Sequence, residues 1–267
     1  NPFWIDDNTL GFLSDRNGQN ELFKVVSTDE NVNLSRSLKT EVTQLTKSEI
    51  DVFEPLISPN GEKISYRVGR GKLVVSKISS QGKLSNSIVL LDGWATPSGI
   101  SWSPDSKWLA YSLSDLNFNS EIYIHKADNS KMPVNISMHP KQDSSPVWSP
   151  DGKKLMFSSN RNNSDYDVWF TWLTKADWEK TSQDWEEEEA DDSKSKKKKN
   201  KKEDSKKDDN KEKDKPKTEP VVIDFEDIHQ RQVQVTSFVG GEFGRLFSKD
   251  SKTIYYTTGN GSRGNAD

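Results

Sequence analysis

The sequence contains no cysteine. Disulfide bonds, thiolate metal sites and a catalytic thiol are therefore excluded over these 267 residues. Histidine is scarce as well, and none of the three, His125, His139 and His229, has a second metal-type ligand at a ligand spacing. We therefore expect no metal site and no cofactor. No apolar run approaches the roughly 20 residues that a membrane-spanning helix needs, so the sequence predicts no membrane span.

Net charge is also low. The 38 Lys and Arg residues nearly balance the 42 Asp and Glu residues, which gives a net charge of −4 and no argument for a nucleic-acid partner. Charged residues are concentrated in residues 176–220, where apolar side chains are almost absent. Such a segment cannot bury enough surface to offset its ordering entropy, so we interpret it as a disordered, solvated insert. Its first part, Asp177 to Trp185, is compatible with a short helix, and we predict that residues 186–217, which are almost all charged, are disordered and mobile.

One five-residue stretch occurs four times, with some variation. Serine at its first corner, proline at its second and glycine at its fourth suit a type I turn. An aliphatic residue and, two positions later, an aromatic residue follow each turn and therefore share one face of a strand. The four copies begin at Ile57, Trp102, Trp148 and Phe247, and the following pairs are Ile64 and Tyr66, Leu109 and Tyr111, Leu155 and Phe157, and Ile254 and Tyr256. The repeated unit is therefore strand, turn, strand, and we expect the tryptophan and tyrosine residues at its repeat positions to lie in the core.

The spacing of these units predicts the fold. The copies at Ile57 and Trp102 lie 45 residues apart, and those at Trp102 and Trp148 lie 46 apart. Repeats of 40 to 50 residues with several strands each are typical of β-propellers. A polar hairpin beginning at Ser14 matches the one beginning at Ser159, which adds a first blade at the N-terminus. We predict an all-β fold: a partial propeller of about four complete four-stranded blades and the start of a fifth. The predicted blades are 2–47, 52–91, 97–137, 145–236 and 242–267, and the insert lies between the third and fourth strands of blade four.

The incomplete fifth blade has a consequence for association. A propeller protects its sheet faces and edges by closing a ring, and we expect a ring of at least six blades. The apolar face of blade five should therefore be open, which makes self-association into a homo-oligomer possible.

Serine and aspartate residues are catalytic in many enzymes, but we interpret those of the repeats as structural. No Gly-x-Ser-x-Gly elbow occurs, and each serine of a Ser-Pro-Asp turn has a sufficient role in its own turn. We interpret Asp15, Asp105, Asp151 and Asp250 as repeat-related turn residues, because repeated positions are spread around a ring and do not converge on a site. We therefore assign no catalytic, cofactor-binding or metal-binding residue.

The repeats also carry a resemblance to known families. Residues 148–162, Trp-Ser-Pro-Asp-Gly-Lys-Lys-Leu-Met-Phe-Ser-Ser-Asn-Arg-Asn, resemble the propeller repeat of the TolB protein, the tricorn proteases and the prolyl oligopeptidases. Residues 102–128, 138–140, 160–170 and 177–180 resemble bacterial tricorn-like peptidases more narrowly. In that family the propeller precedes a PDZ domain and an S41-class serine peptidase core. Both would lie outside this chain.

The resemblance implies a function. The chain would be a non-catalytic propeller that guides or filters peptide or protein substrates toward the PDZ and peptidase domains of the same parent, a hydrolase. The resemblance favours a cytoplasmic over a periplasmic location. Two alternatives stay open: a TolB-like binding propeller with no enzymatic role, and the propeller of a prolyl oligopeptidase-type enzyme. The sequence that follows Asp267 would distinguish them, since only the last requires a Gly-x-Ser-x-Gly elbow.

Limited proteolysis tests the expected disorder of the insert. Trypsin should cut first among the lysines from Lys194 to Lys217, because a solvated charged segment is accessible to the protease. The two pieces should remain associated through the third and fourth strands of blade four. Protection of those lysines would indicate a structured or bound insert.

Overall fold

A computed structural model describes residues 2–30, 33–162, 164–188, 190 and 218–259. Its strands form five antiparallel sheets, blades 1 to 5, each in chain order. Blade 1 contains β1 (Phe3–Asp6), β2 (Thr9–Ser14), β3 (Glu21–Ser27) and β4 (Thr40–Gln44). Blade 2 contains β5 (Val52–Ile57), β6 (Lys63–Val68), β7 (Lys72–Ile78) and β8 (Leu84–Asp92). Blade 3 contains β9 (Ser98–Trp102), β10 (Trp108–Ser114), β11 (Ser120–Lys126) and β12 (Val134–Asn135).

Blade 4 contains β13 (Asp143–Trp148), β14 (Lys154–Asn162), β15 (Asp165–Trp172) and β16 (Gln232–Gln234), and blade 5 contains β17 (Gly241–Phe247) and β18 (Ile254–Gly259). Four four-stranded sheets and the beginning of a fifth confirm the predicted all-β propeller fold. Within the described residues, no helix is long and apolar enough to cross a membrane.

The antiparallel order gives the blades two distinct ends. One end, the turn face, carries the turns between first and second strands and the connections between third and fourth strands. The opposite end, the hairpin face, carries the hairpins between second and third strands and the connections from blade to blade. The pairing of Phe170 in β15 with Val233 in β16 places the insert on the turn face.

The beginning of the insert is more ordered than the sequence suggested. A short helix, α1 (Lys175–Glu179), is followed by a helical segment at 182–188. The expectation that disorder begins at residue 186 is therefore wrong for 186–188. Trp185 stacks on Trp172 at 5.2 Å, and Glu188 pairs with Lys153 at 3.1 Å and Lys180 at 2.6 Å, so these contacts hold the segment on blade 4. The rest of the predicted disordered stretch, 189 and 191–217, lies outside the described residues.

The hydrophobic core lies between successive sheets. Ile64 and Tyr66 pack with residues of blade 1, while Leu155 and Phe157 pack with residues of blade 3. The corresponding aromatic residue of blade 5, Tyr256, is 39% exposed, contrary to the core position expected of it. The reason is that β18 is the outermost described strand of its sheet, so no third strand flanks it there.

The repeated turns share one hydrogen-bond pattern. The fourth residue donates its N–H to the serine carbonyl at 2.8 to 2.9 Å in every copy. In the Ser149 turn, the serine Oγ donates to Asp151 at 2.5 Å and accepts from the Lys154 N–H at 2.9 Å. The turns at Ser58, Ser103 and Ser248 repeat both bonds. The structural role predicted for these serines is therefore confirmed.

A substitution at the fourth turn position tests the contact between the Ser149 turn and the segment that follows the insert. Gly152 has φ of +69°, and a Cβ there would lie 2.8 Å from Cγ2 of Val221, on the segment that follows the insert. Gly152→Ala should therefore cost more free energy of unfolding than backbone strain alone, which is about 1–2 kcal/mol. Gly61→Ala is the matched control, because Gly61 has φ of +78° but open space around it. Equal losses in denaturant unfolding would contradict this account of the Val221 contact.

Candidate functional site: the hairpin face

The described residues bury a polar network on the hairpin face between blades 3 and 4. We call it the blade 3–4 network; its members are Glu121, Ser137, Asp143, Ser159 and Arg161. Glu121 lies at the start of β11, Asp143 begins β13, and Ser159 and Arg161 lie near the end of β14. Adjacent blades thus supply the acids and the base that must neutralise one another.

The pair Asp143–Arg161 is the centre of this network. Nη2 of Arg161 donates to Oδ2 of Asp143 at 2.7 Å; the aspartate side chain is 0% exposed and the arginine side chain 10%. The guanidinium also bonds Ser159 Oγ through Nε at 2.8 Å and lies 4.9 Å from the Trp169 ring centroid. Burial raises the pKa of Asp143, although Arg161 opposes the shift. Oδ1 of Asp143 is buried without a hydrogen-bond partner, so this carboxylate depends on Arg161 for its neutralisation.

Glu121 is satisfied by the connection that follows blade 3. It accepts hydrogen bonds from Ser137 Oγ and, at 3.0 Å, from the His139 N–H. Blade 1 repeats the arrangement, with Glu21 accepting from Thr46 Oγ1 at 2.5 Å and from the Ser48 N–H at 2.6 Å. Burial raises the pKa of Glu121. Burial acts on Glu21 in the same direction, but its hydrogen bonds hold its pKa below the ordinary value.

The network does not contain a nucleophile with its base. Ser137 Oγ donates to the Glu121 carboxylate and accepts from the Ile122 N–H at 2.9 Å, so its hydroxyl is not directed at an imidazole. Nδ1 of His139 is buried without a hydrogen-bond partner. Burial, then the charge of Arg161, lowers the pKa of His139. These contacts serve the junction of two blades rather than acyl transfer.

The other two histidines lie apart from this network. His125 is fully buried, with Nδ1 3.1 Å from Tyr111 Oη and Nε2 2.9 Å from Asn129 Oδ1. His229 lies in a short 3₁₀ turn, Ile228–Gln230, after the insert. Across the part of the chain that the structure describes, no group of three or more His, Cys, Asp or Glu side chains is placed to hold a metal ion.

Burial of His125 predicts a pH dependence of stability. Burial lowers its pKa below the ordinary value of about 6.5, so the folded state binds fewer protons there than the unfolded state. The stability it contributes is present above about pH 6.5 and is lost as pH falls through the lowered pKa. Denaturant unfolding at pH 7.5 and pH 5.5 should show a fall that is smaller in His125→Gln. An identical fall in both proteins would contradict this role.

One aspartate was assigned to the wrong class of turn. Asp105, Asp151 and Asp250 lie in the repeated turns, on the turn face. Asp15 lies on the hairpin face, where its carbonyl accepts from the Gly18 N–H at 2.8 Å. The residue of blade 1 that corresponds to the turn aspartates is Asp6, which accepts from the Asn8 N–H at 2.8 Å. The sequence already shows Asp6-Asp7-Asn8 as the first turn of blade 1, one residue shorter than the others and without proline.

The innermost strands share a backbone irregularity. The pairing registers of β5, β9 and β13 with their neighbours each shift at one point. Glu54, Gly99 and Ser145 have φ of +51°, +61° and +57° at these points. A non-glycine residue held in this conformation costs about 1–2 kcal/mol. Because the irregularity recurs in three blades, it belongs to the repeat and does not single out one site. Its copy in blade 2, at Glu54, lies at the inner edge of that blade.

A recess opens beside that edge on the hairpin face, between blades 1 and 2. It has a volume of about 760 Å³. The Arg67 guanidinium lies 4.7 Å from the Phe53 ring centroid, and its Nε lies 3.6 Å from Oε2 of the strained Glu54. The residues that line the recess include Gln19, Ile50, Asp51, Phe53, Arg67 and Arg70. One aromatic floor with polar groups of both signs around it is suited to a short stretch of polypeptide.

Comparison with known proteins identifies the repeat type. The family described as the TolB beta propeller domain matches residues 39–169. These residues are therefore similar to TolB-type β-propeller repeats. In the crystal structure of the tricorn protease, a similar fold covers 88% of this chain and 21% of that chain, with a TM-score of 0.58 and 11% identity.

Two further relatives complete the comparison. The protein called uncharacterized peptidase YuxL, from Bacillus subtilis (strain 168), is 26% identical over 167 residues, which span 61% of this chain and 22% of the relative. A putative TolB from Agrobacterium tumefaciens is 18% identical, with a TM-score of 0.43 over 62% of this chain and 57% of that one. The chain thus spans about a fifth of the length of the peptidase relative and of the tricorn protease.

Proposed function

We propose that this chain is the non-catalytic propeller part of a tricorn-like serine peptidase, and that it receives unfolded peptides and guides them to a protease core. The observation that carries the proposal is the similarity to a protein named as a peptidase, of which this chain covers only 22%. The sequence resemblance of residues 102–128 and 160–170 to tricorn-like peptidases supports the narrower assignment. Proteolysis would then belong to the PDZ and S41-class peptidase domains of the parent.

The recess between blades 1 and 2 is the part of the hairpin face that suits this role. Phe53 supplies an aromatic surface for an apolar side chain, while Arg70 and Asp51 offer charges of both signs at the rim. A site of this composition accepts many peptide sequences with modest affinity. Apolar contact is not specific for one side chain, and the rim offers both a positive and a negative charge to the peptide. A guiding surface needs this breadth, since it must release what it binds.

Binding of an unfolded polypeptide tests the recess. Fluorescence anisotropy with a labelled, permanently unfolded protein should show micromolar binding that Phe53→Ala weakens about tenfold, because one buried aromatic contact contributes about 1.4 kcal/mol. Phe12→Ala is the matched control: Phe12 lies under Arg16 on blade 1, at 5.1 Å, as Phe53 lies under Arg67. Equal weakening by both changes, or no binding by the unchanged chain, would contradict the assignment.

The match to the TolB propeller family favours a second candidate. In that case the propeller docks a folded protein partner and nothing is hydrolysed. The two candidates differ in what they bind: a guiding propeller prefers unfolded over folded polypeptide, whereas a docking module binds one folded partner. Competition of the anisotropy signal by the same protein in native and unfolded forms separates them. A third arrangement, a prolyl oligopeptidase-type enzyme, would place a Gly-x-Ser-x-Gly serine in the parent.

A further inference from the structure

Two interacting carboxyl groups lie between blades 4 and 5, on strands that pack against each other. Asp167 lies on β15 and Glu242 on β17, and their residues are 2% and 1% exposed. Oδ1 of Asp167 and Oε2 of Glu242 are both buried without a hydrogen-bond donor. The remaining oxygen of Asp167 accepts from Gln234 Nε2 at 3.0 Å. Within the described residues, neither carboxylate forms an ion pair with a lysine, arginine or histidine.

Two ionised carboxylates cannot both remain in such a place. Each buried charge without a partner costs several kcal/mol, and two like charges in one site raise the pKa of one of them. Three strands of blade 4 pack against β17, so water is excluded from the two carboxyl groups as long as blade 5 stays packed on blade 4. The charged and titratable groups on the strands of this interface are Asp143, Lys154, Arg161, Asp165, Tyr166, Arg245, Tyr255 and Tyr256.

None of those groups supplies the missing counter-charge. Arg161 is engaged by Asp143 at 2.7 Å, and Lys154 lies over Trp172 at 4.7 Å on the side of the turn face. Arg245 bonds Thr257 Oγ1 at 3.0 Å in an exposed position. Asp165 adds a further negative charge near the connection, where it accepts from the Gly240 N–H at 3.5 Å.

We propose that Asp167 and Glu242 share one proton across the blade 4–blade 5 interface, and that loss of this proton loosens blade 5. The shared proton converts two mutually repelling acceptors into a donor and an acceptor, which satisfies both orphaned oxygens at once. The contact is then a pH-sensitive latch between the last two described blades. Burial and the neighbouring Glu242 both raise the pKa of Asp167, in keeping with this arrangement.

The sign of the pH effect follows from proton linkage. An aspartate with a raised pKa binds more protons in the folded than in the unfolded state between the two pKa values. The stability it contributes is complete below the unfolded value of about 3.9 and is lost as pH rises through the folded pKa. Within that window, the opening equilibrium of blade 5 should increase by up to tenfold per pH unit.

Hydrogen exchange on the full chain tests the latch. Protection factors of amides in β17 and β18, corrected for the intrinsic exchange rate, should fall as pH rises from about 4 to 8 and passes the raised pKa of Asp167. Asp167→Asn carries its own donor and mimics the protonated acid, so it should abolish this fall and raise protection at pH 8. Glu242→Gln should do the same. Asp250→Asn is the matched control, because that carboxylate is exposed in the turn of the same blade, where it accepts from Ser248 Oγ, and its loss should not change the pH slope at blade 5.

Two results would overturn the proposal. If Asp167→Asn lowers blade 5 protection at pH 8, the ionised pair is stabilising and no proton is shared. If calcium or magnesium chloride raises protection in the unchanged chain and not in Asp167→Asn, a bound cation holds the carboxylates together instead. A pH-dependent fall that disappears in both amide variants and is unaffected by either salt supports the shared proton.

Discussion

Replacing Arg161 by alanine is expected to lower the free energy of unfolding by about 3–5 kcal/mol, because the change leaves the carboxylate of Asp143 buried and unpaired. The aspartate side chain is fully buried, and the arginine Nη2 is 2.7 Å from its Oδ2. Urea unfolding followed by tryptophan fluorescence measures the loss.

Blade 1 offers a matched control for this change. Arg16 repeats the local contacts of Arg161: its Nε bonds Ser14 Oγ at 3.1 Å, and it lies 4.9 Å from the Phe23 ring centroid. No carboxylate pairs with Arg16 within the described residues. Arg16→Ala should therefore cost only about 0.5–1 kcal/mol, the contribution of an exposed cation–π contact. Similar losses for the two arginines would show that Asp143 is not the cause.

A double substitution provides an independent test of the same pair. Arg161→Leu alone should be as damaging as the alanine change, whereas Arg161→Leu combined with Asp143→Leu should recover much of the loss. The reason is that replacing both members of a buried ion pair with apolar residues is often neutral. Additive losses in the double variant would contradict the account of an uncompensated charge.

Replacing Trp148 by alanine should have a comparable effect, about 3–5 kcal/mol, because it empties a large side-chain volume between blades 3 and 4. Trp148 is 7% exposed and packs with Ala110, Ile124 and Leu155. Its Nε1 also donates to the Ser101 carbonyl of the preceding blade at 3.3 Å.

Two further variants separate the packing of Trp148 from its hydrogen bond. Trp148→Phe keeps an aromatic ring and loses the Nε1 donor, so it should lower the free energy of unfolding less than the alanine change does. The expected loss is about 1 kcal/mol for the hydrogen bond, together with a smaller loss of packing. Trp178→Ala is the control for an exposed tryptophan, since Trp178 is 41% exposed, and it should change stability by less than 1 kcal/mol. A small loss for Trp148→Ala would contradict the view that the repeat tryptophans hold adjacent blades together.

The sequence predicted those parts of the fold that depend on local patterning. Ser149, Pro150 and Gly152 define their turn within five residues, and Leu155 and Phe157 show their shared face through a spacing of two. The turn serine and this spacing recur in blades 2, 3 and 5, and repetition is what distinguished a propeller from any other all-β fold. The placement of the insert between β15 and β16 followed from the same pattern, because Gln232 to Gln234 resume the strand sequence.

The polar contacts between blades could not be predicted in this way. Asp143 and Arg161 belong to different strands, and Asp167 and Glu242 lie 75 positions apart, so no spacing rule joins them. The helical turn at 186–188 depends on the stacking of Trp185 on Trp172, which is a tertiary contact. A run of glutamates gave no sign of it. Contacts that depend on how one sheet is placed on the next require the three-dimensional structure.

Proteolysis outside this chain is the central claim, and a serine-directed fluorophosphonate probe tests it most directly. The parent polypeptide that carries these residues should hydrolyse an unfolded protein and react with the probe, while residues 1–267 alone should do neither. In the parent, His139→Ala and His229→Ala should leave turnover intact as long as the protein stays folded, since neither residue is assigned a chemical step. Labelling of a serine within 1–267, or a parent that neither reacts with the probe nor hydrolyses polypeptide, would contradict the account.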